Sequence, residues 1–276
     1  MERINIHAPA KINVGLNIIK KRDDGYHNLE TIFYQIHDLF DVLTFEKSDK
    51  LELILLNEIP DLVNDNIIIK AVELLEEKVE KSLNVKITLR KNIPIGAGLG
   101  GGSSDGASTL RAMNKLFDLN LSQDELKTIA LELGSDVPLF LHDYPTIGKS
   151  RGEDLEKLEF KIDKPILLIN PGIHISTKEA FSSIVPKANV FDYSEIKKFQ
   201  MSAWNGKVVN DFENSVFKLY PEIAEIKNTL LKNSALFSIM SGTGSTVYGI
   251  FESLSKAESV AKIFPKTYFT FVGNLK

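Results

Sequence analysis

The chain has 276 residues, 43% of them hydrophobic and 25% charged, with a formal net charge of −4 and no cysteine. That length suits one large domain or two ordinary ones, and the composition is that of a soluble globular protein. The acidic balance, with no basic cluster interleaved with aromatics, excludes charge-driven nucleic-acid binding. The missing cysteines exclude disulfides, thiolate metal sites and cysteine nucleophiles.

From Met1 onward there is no apolar signal core, and no later run reaches membrane-spanning length, so a cytoplasmic chain that does not enter a membrane is expected. Residues 4–19 read as a strand. Ala8-Pro9-Ala10-Lys11-Ile12-Asn13-Val14-Gly15-Leu16-Asn17 alternates, so Ile12, Val14 and Leu16 share one face and Lys11, Asn13 and Asn17 the other. That polar face is either a solvated surface or the lining of a cleft. Asp23-Asp24-Gly25 is a turn signal before Tyr26-His27. Leu51–Leu56 reads as a strand, and Asn66–Leu83 as a helix, with apolar residues at Ile67, Ile68, Ala71, Val72, Leu75 and Val79.

Leu83–Arg90 alternates like another strand and leads into Pro94-Ile95-Gly96-Ala97-Gly98-Leu99-Gly100-Gly101-Gly102-Ser103-Ser104. Five of these eleven residues are glycines, so the backbone can take positive φ and approach a ligand with no Cβ in the way. A helix is expected after it, from Asp105 to about Leu116. A strand, a glycine turn and a helix N-terminus make an anion site, because free N–H groups converge with the positive end of the helix dipole. No lysine follows these glycines in the manner of GxxxxGK[ST], so the P-loop is absent. GxGxxG is formally present at Gly96, Gly98 and Gly101, without the N-terminal βαβ context that a dinucleotide site needs. A nucleotide-using, phosphate-binding enzyme is the expectation, against a plain flexible loop.

Ser122-Gln123-Asp124-Glu125 is a capping box for a helix ending near Gly134. Asp136, in Gly134-Ser135-Asp136-Val137-Pro138, is either a helix N-cap or a general base. A domain boundary is placed near residue 150. Ile166–Ile169 reads as a strand, Lys178–Ile184 and Pro221–Leu231 as helices. The glycine turn Ser241–Thr246 leads into a strand at Val247–Phe251, then a helix over Ser253–Phe264 and a closing strand at Tyr268–Val272. Strands mixed with helices, without regular βα alternation, predict an α+β fold. The five histidines are too scattered for metal-ligand spacing.

Pro9–Asn13, Pro94–Ser104, Gly134–Pro138 and Ser241–Val247 occur in the order found in the GHMP kinases, and the chain resembles that family from Ala8 to about Phe251. Asp24-Gly25-Tyr26-His27, Asn64-Asp65-Asn66 and Asn210-Asp211-Phe212-Glu213 resemble the branch that phosphorylates diphosphocytidyl methylerythritol in non-mevalonate isoprenoid precursor synthesis. The resemblance implies a two-domain α+β kinase, split into residues 1–150 and 151–276, with its active site in the interdomain cleft. It implies ATP and Mg2+, the phosphates held by Pro94–Ser104 with Asn66 near the nucleotide. Lys11 and Asp136 match the catalytic pair. Asn13 and Thr177 match residues on the substrate side, and Tyr26, His27 and Phe181 those that grip the cytosine. The magnesium ligands and the oligomeric state are not specified. Ser150 replaces the family's usual glycine and Ser135 its usual alanine. Another GHMP kinase, of homoserine or mevalonate type, and a catalytically idle nucleotide-binding module are the alternatives.

Overall fold

The computed structural model describes residues 3–57, 66–182, 184–187 and 191–275. Asn64 and Asp65 lie outside them. The chain forms two compact units, each assembled from separated segments: residues 1–10, 39–95 and 100–143 in the first, and 11–38, 96–99 and 144–276 in the second. Strands β1 (Arg3–Lys21) and β2 (His27–Lys47) therefore contribute to both.

In the first unit, β4 (Val85–Arg90) runs parallel to β3 (Glu52–Leu55) and antiparallel to the second half of β2, with Val42 opposite Arg90 and Lys47 opposite Val85. Helix α1 (Ile67–Val79) precedes β4; its N-cap is Asn66, whose side chain accepts from the Ile68 N–H at 2.9 Å. Helix α2 (Gly101–Leu116) packs against both α1 and α3 (Gln123–Leu133). The contact with α1 is close because Gly106 has no side chain, and a Cβ there would lie 3.1 Å from Ile67. The capping box is realised: Ser122 and Glu125 each satisfy the other's backbone N–H, and Gly134 ends the helix. Helix α2 starts at Gly101, four residues ahead of the expected Asp105. Glycine's low helix propensity is overridden where the chain needs free N–H groups at the first turn.

In the second unit, Gly25 (φ 85°) closes the β1–β2 hairpin, and Asp24 accepts from the Tyr26 N–H at 3.1 Å. The first half of β2 pairs with β5 (Thr146–Lys149), which forms a hairpin with β6 (Asp154–Lys157). A second sheet, built from β7 (Pro165–Asn170), β8 (Phe237–Met240), β9 (Val247–Ile250) and β10 (Phe269–Asn274), has the antiparallel order β10-β7-β9-β8. Between β7 and β8 come α4 (Thr177–Ser182), α5 (Glu213–Leu219) and α6 (Pro221–Lys232), and α7 (Leu254–Ala261) precedes β10. Leu16 and Ile18 of β1 join Leu167, Ile169, Ile223, Leu230 and Val260 in the core. The mixture is α+β, as expected.

Candidate active site

The polar face of β1 is not a solvated surface. Lys11 is only 4% exposed, and its ammonium donates to Asn13 Oδ1 at 2.7 Å. The Asn13 amide donates on to Thr31 Oγ1 at 2.9 Å, and the Lys11 ammonium lies 5.5 Å from the Phe33 ring centroid. A buried cation needs such partners, because an unpaired charge out of water costs several kcal/mol. Asn17 faces elsewhere: it accepts from the Tyr193 hydroxyl. Residues 11 and 13 are thus brought together, with Thr31 as a partner that strand alternation could not reveal.

The glycine-rich segment is laced to this strand. The Lys11 N–H donates to Leu99 O at 2.9 Å, and the Thr246 N–H to Ala97 O at 3.3 Å. Ser241 Oγ donates to Gly98 O at 2.9 Å and accepts from the Asn13 N–H at 3.3 Å. Gly98 has φ 76°, and a Cβ there would lie 2.2 Å from the Ser241 carbonyl oxygen, so only glycine fits. Gly102 differs: a Cβ on it would meet nothing within 4 Å. Asn210 donates to Met240 O and Gly242 O, both at 2.8 Å, and so holds the second glycine turn in place. Asp211 accepts from the Ile18 N–H at 2.8 Å. These two residues, singled out by motif, brace β1 and the turn.

In the first unit, α2 opens at the end of the same glycine run, with Gly100 (φ 71°) as a left-handed N-cap that offers no side chain. The first-turn N–H groups therefore stay available for an anion. Asp136 directly precedes Val137, the residue at the N-cap of the 3-10 turn Pro138–Leu141. Asn66 is buried and caps α1.

The residues expected to meet a base lie in the second unit. His27 stacks on Phe181, centroids 5.1 Å apart and planes 26° off parallel, and Phe181 makes an edge contact with Phe212 at 4.8 Å. Burial, aided by the charge of Lys21, holds the His27 imidazole below its ordinary pKa. Tyr26 is 55% exposed, with the Arg151 guanidinium 5.1 Å from its ring centroid. Thr177 opens α4, the helix that carries Phe181. Ser150 keeps the left-handed conformation expected of a glycine (φ 61°). Its hydroxyl accepts from Arg22 at 3.0 Å and donates to Glu153 at 3.3 Å, so the turn survives the replacement.

Residues 66–144 match the GHMP kinases N terminal domain and residues 185–269 the GHMP kinases C terminal domain. The chain is 41% identical to the 4-diphosphocytidyl-2-C-methyl-D-erythritol kinase of Cytophaga hutchinsonii, over 88% of its own length and 91% of that relative's. The chain belongs to the GHMP kinases. The enzyme of the same name from Prosthecochloris aestuarii is 40% identical, covering 97% of this chain and 96% of that one. Among solved structures, this GHMP kinase matches a 4-(cytidine 5'-diphospho)-2C-methyl-D-erythritol kinase with TM-score 0.83 and 29% identity, covering 98% of each chain. The mevalonate kinase of Methanococcus jannaschii, at 15% identity and TM-score 0.75, shares the fold. No helix among the described residues is long and apolar enough to cross a membrane.

Proposed function

We propose that this chain transfers the γ-phosphoryl group of ATP to the 2-hydroxyl of 4-diphosphocytidyl-2-C-methyl-D-erythritol, a step of non-mevalonate isoprenoid precursor synthesis. The observation that carries the activity is the buried Lys11, held by Asn13 and hydrogen-bonded through its backbone to the glycine run at Leu99. Phosphoryl transfer asks mainly for positioning and for charge stabilisation on the moving group. Lys11 is assigned the second task, as a preorganised cation that water does not screen. The N–H groups at the start of α2 and along Gly96–Ser104 are assigned the ATP phosphates. An alcohol is a weak nucleophile at neutral pH, so Asp136 is assigned as the base that accepts the hydroxyl proton as the bond to phosphorus forms.

Mg2+ is assigned as a partner of the nucleotide. Among the described residues no group of three His, Cys, Asp or Glu side chains is placed to hold a metal ion by itself. When bound, it would neutralise charge on the phosphate oxygens, which with water supply most of its shell. The cytosine is assigned to Tyr26, His27 and Phe181, with Thr177 and Asn13 on the substrate side. Because His27 already covers one face of Phe181, the two rings offer a joint platform, and Tyr26 is the exposed aromatic that can close on a base. We place the chain in the cytoplasm, acting on a small molecule.

The test is ADP release by the purified protein with a panel of acceptor alcohols. Turnover with the diphosphocytidyl substrate, and none with mevalonate or homoserine, is expected. Turnover with either of those instead would reassign the substrate. ATP binding without turnover on any acceptor would leave an idle nucleotide-binding module.

A further inference from the structure

Beneath the start of α2 lies a charged cluster that the reaction does not use. Lys91, at the end of β4, is buried, and its ammonium donates to Asp41 Oδ2 and, at 2.7 Å, to Asp105 Oδ2. Asp41 Oδ1 accepts the N–H groups of Asn92 and Ile93, at 2.6 and 2.9 Å. Asp105 is 3% exposed, and its Oδ1 has no hydrogen-bond partner among the described residues. Two carboxyl groups and one ammonium out of water are a costly arrangement, because the attraction among them must offset their desolvation. An apolar trio of similar volume would fill the same space without that cost.

The placement of these groups gives the cluster a use. Lys91 and Asn92-Ile93 are the last residues before Pro94, where the glycine-rich run begins, and Asp105 is the fifth residue of α2, just beyond its end. Asp41 therefore fixes the backbone entering the run, and Lys91 bridges that entry to the helix leaving it. The Lys91 ammonium also sits under the first turn: a Cβ on Gly101 would lie 3.2 Å from Nζ. Between the two anchored ends, Gly96, Gly98 and Gly100 all have positive φ, so the run has little stiffness of its own.

We propose that Lys91, Asp41 and Asp105 form a clasp that positions the first turn of α2 for nucleotide phosphate, making Lys91 and Asp105 positioning residues for ATP and not for the acceptor. The proposal rests on the glycine run being the nucleotide site. A preformed array of N–H donors binds an anion without first paying to order the loop, so opening the clasp lowers nucleotide affinity. The acceptor is assigned to Tyr26, His27, Phe181, Thr177 and Asn13, none of them in the cluster, so its KM is expected to stay fixed.

Asp105→Ala opens the helix end of the clasp and leaves Lys91 and Asp41 as a neutral buried pair, so it is the first variant to make. Calorimetric ADP affinity, and KM for ATP and for the acceptor, are measured on protein whose circular dichroism matches the parent. A loss of at least about tenfold in nucleotide affinity is expected, with acceptor KM within about twofold. Asp105→Asn, which keeps an oxygen for the ammonium, is expected to restore most of that affinity. Parent-like nucleotide affinity in the folded alanine variant overturns the clasp, as does an equal rise in both KM values. If that variant does not fold, Lys91→Arg decides on the same readouts. It keeps the charge but cannot seat its larger head under Gly101, so weaker nucleotide binding with unchanged acceptor KM is expected, and parent affinity overturns the clasp. A parent protein that fails to bind ADP overturns the nucleotide assignment of the loop itself, which separates the two failures.

Discussion

Lys11 donates its ammonium to the Asn13 side chain across 2.7 Å, two residues along the same strand and both buried. The contact ties a catalytic candidate to a fixed position before any ligand arrives. Lys11→Met keeps the apolar stem and removes the charge, and it is expected to lower kcat by roughly 10²–10³, the scale of losing one charge-stabilising donor. KM for ATP and the melting temperature should move little. Steady-state kinetics decide it, and unchanged kcat would reduce Lys11 to a packed strand residue.

Asp136→Asn is expected to lower kcat by about 10²–10⁴ with nucleotide affinity kept, because an amide cannot accept the hydroxyl proton. A helix cap in that place would instead lose about 1 kcal/mol of stability. The assignment of Asp136 as the base makes the kinetic outcome the expected one. Comparing turnover with a urea melt separates the two.

The glycines of the loop are not equivalent, and their spacing in sequence conceals this. Gly102→Val is expected to fold like the parent, since a Cβ there enters open space. It should weaken ATP by about tenfold or more, because its side chain would stand where phosphate meets the helix N–H groups. Gly98→Ala is expected to lose stability first, since its Cβ would collide with the Ser241 carbonyl at 2.2 Å. Calorimetry with ADP, paired with thermal melts, reads both. Parent affinity in Gly102→Val would move the phosphates away from this turn.

Elements governed by local chemistry were legible. The Ser122–Glu125 capping box placed α3 within a residue at each end, and strict alternation placed β1. By contrast β2, His27–Lys47, escaped, because both of its faces are largely buried and its charges interrupt any period. The start of α2 was misplaced because glycine's propensity says nothing of the packing that holds Gly101 helical. Of the site, the motif residues could be named but their partners could not. Thr31 beside Asn13, and Asp41 and Asp105 about Lys91, meet across long stretches of chain that no spacing rule connects.

Asp105 also makes stability depend on pH. Burial pushes its carboxyl up to about 7, with Lys91 pulling down and Asp41 adding to the rise, against an ordinary 3.8. Between those values the unfolded chain has released the proton while the folded chain still holds it, so stability falls as pH rises through that window. Asp105→Asn removes this contribution. Urea denaturation at pH 5 and 7.5 should show the parent losing more stability than the variant over that span. Parallel losses would mean that Asp105 is ionised throughout.

Tyr26 carries the last expectation, on which the identity of the acceptor turns. Its ring is more than half exposed, with Arg151 near it, while His27 and Phe181 are already stacked on each other. A base closing under Tyr26 would gain stacking of about 1–3 kcal/mol, the scale found for bases on aromatic side chains. Such contact is remote from the reacting hydroxyl and holds ground state and transition state alike, so Tyr26→Ala should raise acceptor KM about 5- to 150-fold and leave kcat nearly unchanged. A site that hydrogen-bonds the cytosine edge should also discriminate against uracil, whose donors and acceptors are reversed there. Kinetics with the cytidine substrate and its uridine analogue, in the parent and in Tyr26→Ala, test both points. If the parent used the two bases equally, or the variant kept the parent KM, the base-recognition assignment would fall, leaving a GHMP kinase of unknown substrate.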